Sequence, residues 1–271
     1  MKRIISIAVL SIFCLSLQSC ADKDALPDPF AKFRSMSADQ IYKQGVNQAS
    51  KKQFSRASDT FMAFEALYPD DKKFRSQVLL DSIYTNYMAK KSTISAAQCE
   101  RFLTYYPYLG KEKLAYVYYM KGLISTNRAI SGLQVLFKVD PALLGEDAYV
   151  DAFKQFKTLL TKYPDSKYTA NAVLQMRYIR DLVARHQLLI AQYYYERKAY
   201  IASANRALDL VLSYNGVASA PAALKLLYLS YQHLGLSKEA DEVKLILDKN
   251  KLSADYTPVN YNLLSSLRKV V

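Results

Sequence analysis

The chain has 271 residues, 51% of them hydrophobic, with 23 Tyr, 7 Gly and a formal net charge of +13. Such a chain can bury a real core, its scarce glycine argues against a Gly-rich doubly wound sheet, and its 3 Cys cannot build a disulfide framework. The basic balance leaves nucleic acid, anionic lipid and acidic protein open as partners.

Lys2 and Arg3 open the chain, and Ile4 to Leu17 is apolar apart from Ser6, Ser11 and Ser16. About fourteen apolar residues suit a signal-peptide core better than a membrane span of roughly 20. Leu17-Gln18-Ser19-Cys20 then resembles the bacterial lipobox, in which the cysteine is lipidated and becomes the first mature residue. Gln18 stands where a small residue is usual. The alternatives are a signal cut by an ordinary peptidase and a plain N-terminal anchor helix. Several acyl chains on Cys20 would moor the protein stably, since each buried methylene contributes about 0.8 kcal/mol. By analogy with lipoprotein sorting, Ala21 after the cysteine points to the outer membrane. A periplasmic address removes nucleic acid from the partners. Residues 1–19 are thus expected to be the signal peptide. Residues 20–36, with Pro27 and Pro29, read as an extended tether.

From Ser37 the pattern is helical and repeats. Ala57, Phe61 and Pro69 have the spacing of Ala152, Phe156 and Pro164, and a tyrosine precedes each proline (Tyr68, Tyr163). Tyr106-Pro107 is a third case. A small residue lets two antiparallel helices approach, an aromatic one turn later fills the space beside it, and proline ends the second helix. These are marks of the tetratricopeptide (TPR) repeat. Gly45 lies twelve residues before Ala57, as Ala191 does before Ser203 and Tyr228 before Ala240. The predicted fold is all-α: a TPR solenoid of about five helical hairpins over 37–252. The units fall roughly at 37–70, 71–108, 111–165, 167–216 and 219–250. An irregular insertion at about 128–147 is marked by Gly132, Asp140-Pro141 and Gly145. One helix of about 30 residues is expected after Lys167, with Arg177, Arg180, Asp181 and Arg185 on its polar surface. Residues 253–271 are a C-terminal tail, either disordered or a short docking helix through Leu263, Leu264, Leu267, Val270 and Val271.

Catalytic motifs are not found. The two histidines, His186 and His233, lie far apart, and no HExxH, CxxC, phosphate-cradling loop or nucleophile elbow occurs. His186 reads as a packing or surface residue, and Cys99 as a small buried hydrophobe. No catalysis, metal or cofactor is expected. The tyrosine clusters "AYVYYMKG" and "AQYYYERKAY" fill helix interfaces on the plain reading, and some would face an extended peptide on the other.

Asp181 to Tyr214, "DLVARHQLLIAQYYYERKAYIASANRALDLVLSY", resembles the fourth repeat of the BamD (ComL) family. "YYMKGL" at Tyr118–Leu123, "FKVD" at Phe137–Asp140 and "YPDSKYTANA" at Tyr163–Ala172 are similar to that family's third repeat, insertion and next junction. After Asp140 the family usually continues with arginine and further charges, whereas this chain has Pro141-Ala142-Leu143-Leu144. The resemblance implies a lipid-anchored, non-enzymatic scaffold on the periplasmic face of the outer membrane. In that role it binds BamA through a POTRA domain, other lipoproteins of the β-barrel assembly (BAM) complex, and unfolded outer-membrane β-barrel proteins. Clients would be taken by the N-terminal repeats through their C-terminal strand. It also implies that Arg197 and Arg206 face BamA, arginine's planar fork being suited to gripping a carboxylate. The competing reading is another periplasmic TPR adaptor lipoprotein, in envelope biogenesis or cell division.

Overall fold

The computed structural model describes residues 28–129, 140–143, 146–250 and 259. Among them are ten α-helices and no strand: α1 (Ala38–Ser50), α2 (Phe54–Leu67), α3 (Arg75–Met88), α4 (Ser92–Tyr105), α5 (Lys111–Ala129), α6 (Glu146–Lys162), α7 (Thr169–Glu196), α8 (Tyr200–Ser213), α9 (Ala220–His233) and α10 (Ser237–Asn250). Consecutive helices pack as five antiparallel hairpins, and the first helices of hairpins also touch, α1 on α3, α3 on α5 and α7 on α9. This is a TPR solenoid, as the repeat spacing predicts. The signal, the tether up to Pro27 and nearly all of the tail lie outside the described residues.

The entry to α1 is fixed locally. Ser37 forms a capping box: its Oγ accepts from the Gln40 backbone N–H (3.3 Å) and its own N–H donates to Gln40 Oε1 (2.8 Å). Phe30 and Phe33 close the first end of the core, and the Tyr68 hydroxyl donates to the Met36 carbonyl at 2.5 Å.

Inside each hairpin the small positions act as expected. Phe61 is fully buried against Gly45, where an added Cβ would stand 2.8 Å from the ring Cζ. At the twelve-residue interval the second helix comes close enough to bond the first. The Ser203 hydroxyl donates to the Ala191 carbonyl (2.9 Å), and Ser95 donates to the Ile83 carbonyl (2.7 Å). The second helices of the first four hairpins each end on tyrosine. The N–H groups of Tyr68, Tyr106, Tyr163 and Tyr214 close on the carbonyls of Phe64, Phe102, Leu159 and Leu210. Three of these tyrosines precede proline, which pushes the residue before it out of the helical region. Tyr214 takes the same conformation before Asn215, so packing also enforces the stop.

The turns inside the first, second, fourth and fifth hairpins share one geometry. Lys52 (φ 59°), Lys90 (φ 64°), Lys198 (φ 61°) and Gly235 (φ 73°) are left-handed. In each, this residue and the next donate to carbonyls of the preceding helix, as Lys52 does to Ala49 and Gln53 to Gln48. That is the Schellman closure of a helix C-terminus.

Neighbouring hairpins are tied by polar pairs across the apolar core. Arg101 bridges to Glu65 (2.5 Å), Lys91 to Asp59 (2.9 Å) and Lys121 to Glu100 (2.8 Å), and the Tyr119 hydroxyl donates to Asn171 Oδ1 (2.6 Å). The expected insertion is narrower than its sequence bounds, because α5 runs to Ala129 and α6 starts at Glu146. Its described part, Asp140–Leu143, lies on α7: Asp140 pairs with Arg185 at 2.6 Å, and the His186 Nδ1 stands 2.6 Å from the Ala142 carbonyl. Arg185 is therefore a half-buried anchor and not part of a purely polar face.

Candidate protein-interaction site

Two surfaces carry side chains arranged for another polypeptide. The first lies between the first helices of successive hairpins. Gln77, Leu80, Asp81 and Tyr84 of α3, Glu112, Lys113 and Tyr116 of α5, and Lys167-Tyr168 before α7 line a cavity of about 360 Å3. The solenoid places them there because α3 packs on α5 and the Tyr119–Asn171 bond holds the start of α7 against α5. Tyr116 and Tyr168 meet at 5.7 Å between ring centroids, and the Tyr116 hydroxyl reaches the Leu80 carbonyl at 3.4 Å. Burial raises the phenol pKa values of Tyr84, Tyr116 and Tyr168 above the ordinary value. Burial also raises the Asp81 carboxyl, with hydrogen bonds from Gln77 and Tyr42 acting in the opposite sense. Lys167 stands 5.0 Å from the Tyr168 ring centroid, and Glu112 accepts from the Ser166 hydroxyl at 3.0 Å. The walls are aromatic and apolar, and the rim carries both signs of charge. Such a lining can hold an extended chain with large side chains.

The second surface is the fourth hairpin. Arg197 caps the C-terminus of α7, its backbone N–H closing on the Tyr193 and Tyr195 carbonyls. Its guanidinium stacks 4.5 Å from the centroid of the Tyr193 ring, which is 51% exposed. Arg206 is exposed on α8 and donates to Gln187 Oε1 on α7 at 3.3 Å. Among the described residues neither guanidinium forms an ion pair. Both arginines thus belong to one hairpin and keep their forks open to a carboxylate. No direct bond joins them, and Cys20 lies outside the described residues.

A support for this turn is not legible in the sequence. The His233 ring at the end of α9 stacks on Tyr200 (4.3 Å between centroids, 4° between planes), and its Nε2 lies 3.0 Å from the Tyr195 hydroxyl. The fifth hairpin thereby braces the "YYYERKAY" turn that carries Arg197. The tyrosines elsewhere differ in exposure. Tyr119, Tyr149 and Tyr168 are buried in the core, while Tyr193 and Tyr105 are exposed.

The chain is similar to proteins already known. The model of the YfiO family, described as outer membrane lipoprotein, matches residues 34–246. The outer membrane protein assembly factor BamD of Haemophilus influenzae is 29% identical over 252 residues, covering 93% of this chain and 92% of the relative. BamD of Pasteurella multocida is 28% identical over 252 residues, 93% of each. BamD of Neisseria meningitidis serogroup A is 28% identical over 236 residues, 87% of each.

Proposed function

The chain belongs to the YfiO family of outer membrane lipoproteins, and from that premise we propose that it is a non-enzymatic scaffold for assembling β-barrel proteins into the outer membrane. Acyl chains on Cys20 hold it to the periplasmic face, and the segment between Cys20 and the packed Phe30 and Phe33 serves as the tether, which is shorter than the 20–36 expected from the sequence. The carrying observation is a matched family segment that spans all five hairpins up to α10, with relatives named as outer membrane protein assembly factors along most of their length.

The fourth hairpin binds the POTRA region of BamA, with Arg197 and Arg206 as the gripping residues. Their guanidinium groups, held by the Tyr193 ring and by Gln187 but paired with no carboxylate among the described residues, and the braced tyrosine turn support this assignment. The cavity between α3, α5 and α7 receives unfolded clients, its protonated phenols and apolar walls being suited to the aromatic side chains of a β-barrel strand. Other lipoproteins of the assembly complex pack on the same body. No step of this role calls for a cofactor, a metal or nucleic acid.

Arg206→Glu tests the interface. Affinity capture of the variant from detergent extracts is expected to recover much less BamA at equal expression, because a charge-paired contact is replaced by repulsion. Undiminished recovery would remove Arg206 from the interface.

A further inference from the structure

The turns of the first two hairpins concentrate cations that no carboxylate among the described residues pairs with. Lys51 and Lys52 follow α1, Arg56 sits in the first turn of α2, and Lys90 lies in the turn after α3; all four are exposed. Among the described residues none of the four forms an ion pair. Lys91 in the same region differs: its ammonium is held by Asp59 at 2.9 Å and by the Ser58 hydroxyl at 3.1 Å.

Two of these residues sit where the backbone does not favour them. Lys52 and Lys90 occupy the left-handed position of a Schellman turn, the position that the fifth hairpin fills with Gly235. Arg56 lies at the positive end of a helix dipole, where a cation is disfavoured. Ile94, 46% exposed in the first turn of α4, adds apolar surface to the same edge. α1 and α3 are in contact, so their turns lie about 10 Å apart along one edge.

We propose that the turn edge of hairpins one and two, Lys51, Lys52, Arg56 and Lys90, is a docking surface for the anionic headgroups of the bilayer that anchors the protein. This rests on the lipid-anchored reading of Cys20. Flexible ammonium groups suit mobile headgroup phosphates better than the fixed carboxylates of a protein partner. The geometry allows it. The described chain begins at Asp28, near the opposite end of α1 from Lys52. The segment from Cys20 to Asp28 reaches about 28 Å when extended, and α1 is about 20 Å long. The body can therefore lie with its lysine edge on the membrane. The third such lysine, Lys198, adjoins Arg197 and belongs to the proposed BamA contact.

The experiment uses the mature lipidated protein in vesicles, with amine acylation read residue by residue. In vesicles containing phosphatidylglycerol, labelling of Lys52 and Lys90 should fall about fivefold relative to phosphatidylcholine vesicles, the factor expected per lysine near an anionic surface. Exposed Lys238 should not change, and 0.5 M salt should restore the labelling. Lys52→Gly with Lys90→Gly favours the turn backbone, so it folds at least as well. In that variant Lys51 should lose its protection. Equal labelling of Lys52 and Lys90 in the two vesicle types overturns the proposal. Failure of the protein to float with phosphatidylcholine vesicles defeats the anchor instead. Flotation with phosphatidylglycerol vesicles alone then reads the edge directly, and its absence also overturns the proposal.

Discussion

A side chain on Gly122 would run into the ring of Phe156: from the place of its Cβ, the ring Cζ is 2.5 Å away and Cδ1 is 2.7 Å. Gly45 and Phe61 stand in the same relation in the first hairpin. An exposed helical Gly→Ala change stabilises by about 1 kcal/mol. Gly122→Ala should do the reverse, destabilising by about 1–3 kcal/mol through overpacking. Urea unfolding checks the sign. Adding Phe156→Leu to Gly122→Ala should recover part of the loss, because the smaller side chain makes room. A stabilised Gly122→Ala protein would contradict this packing.

That pair explains what the sequence discloses and what it conceals. Gly45 and Phe61 are sixteen residues apart, so the repeat spacing identifies them directly. Gly122 and Phe156 are the same contact at an interval of 34, because the insertion lengthens the turn between α5 and α6. The repeat interval therefore fails there, although Phe156 itself is recognised through Ala152 and Pro164. The long α7 is legible because Thr169–Glu196 contains neither Gly nor Pro. The role of Arg185 is not, since its charge reads as solvated until Asp140, 45 residues away, folds onto it. In the candidate site both arginines come from family likeness and not from any local pattern. The His233–Tyr200 stack that braces the Arg197 turn joins different hairpins, and only the stacking of the solenoid creates it.

Asp81 gives a pH signature. Burial raises its carboxyl above the ordinary 3.8, the hydrogen bonds from Gln77 and Tyr42 opposing the shift only in part. Between the ordinary and the raised value the folded chain holds a proton that the unfolded chain has released. Stability contributed by this group is therefore present below that window and lost as pH rises through it. Asp81→Asn should raise the urea midpoint at pH 7 and leave it nearly unchanged at pH 3. A lower midpoint at pH 7 would show that the charge is stabilising.

Cys99 is fully buried between α3, α4 and α5, and burial pushes its thiol well above the usual range. It should resist alkylation in the native protein and react only at the rate of unfolding. Mass spectrometry after iodoacetamide treatment, with and without urea, checks this. Rapid native labelling of Cys99 would mean that the second and third hairpins separate readily.

A scaffold of five hairpins that holds an assembly machine together at the outer membrane must leave that membrane with its partners attached. The most direct measurement is the composition of what co-purifies with the chain when membranes are extracted in mild detergent. BamA should be recovered near equal amount, together with nascent β-barrel proteins. Recovery of other envelope or division proteins with BamA absent would contradict the account and favour a different periplasmic TPR adaptor.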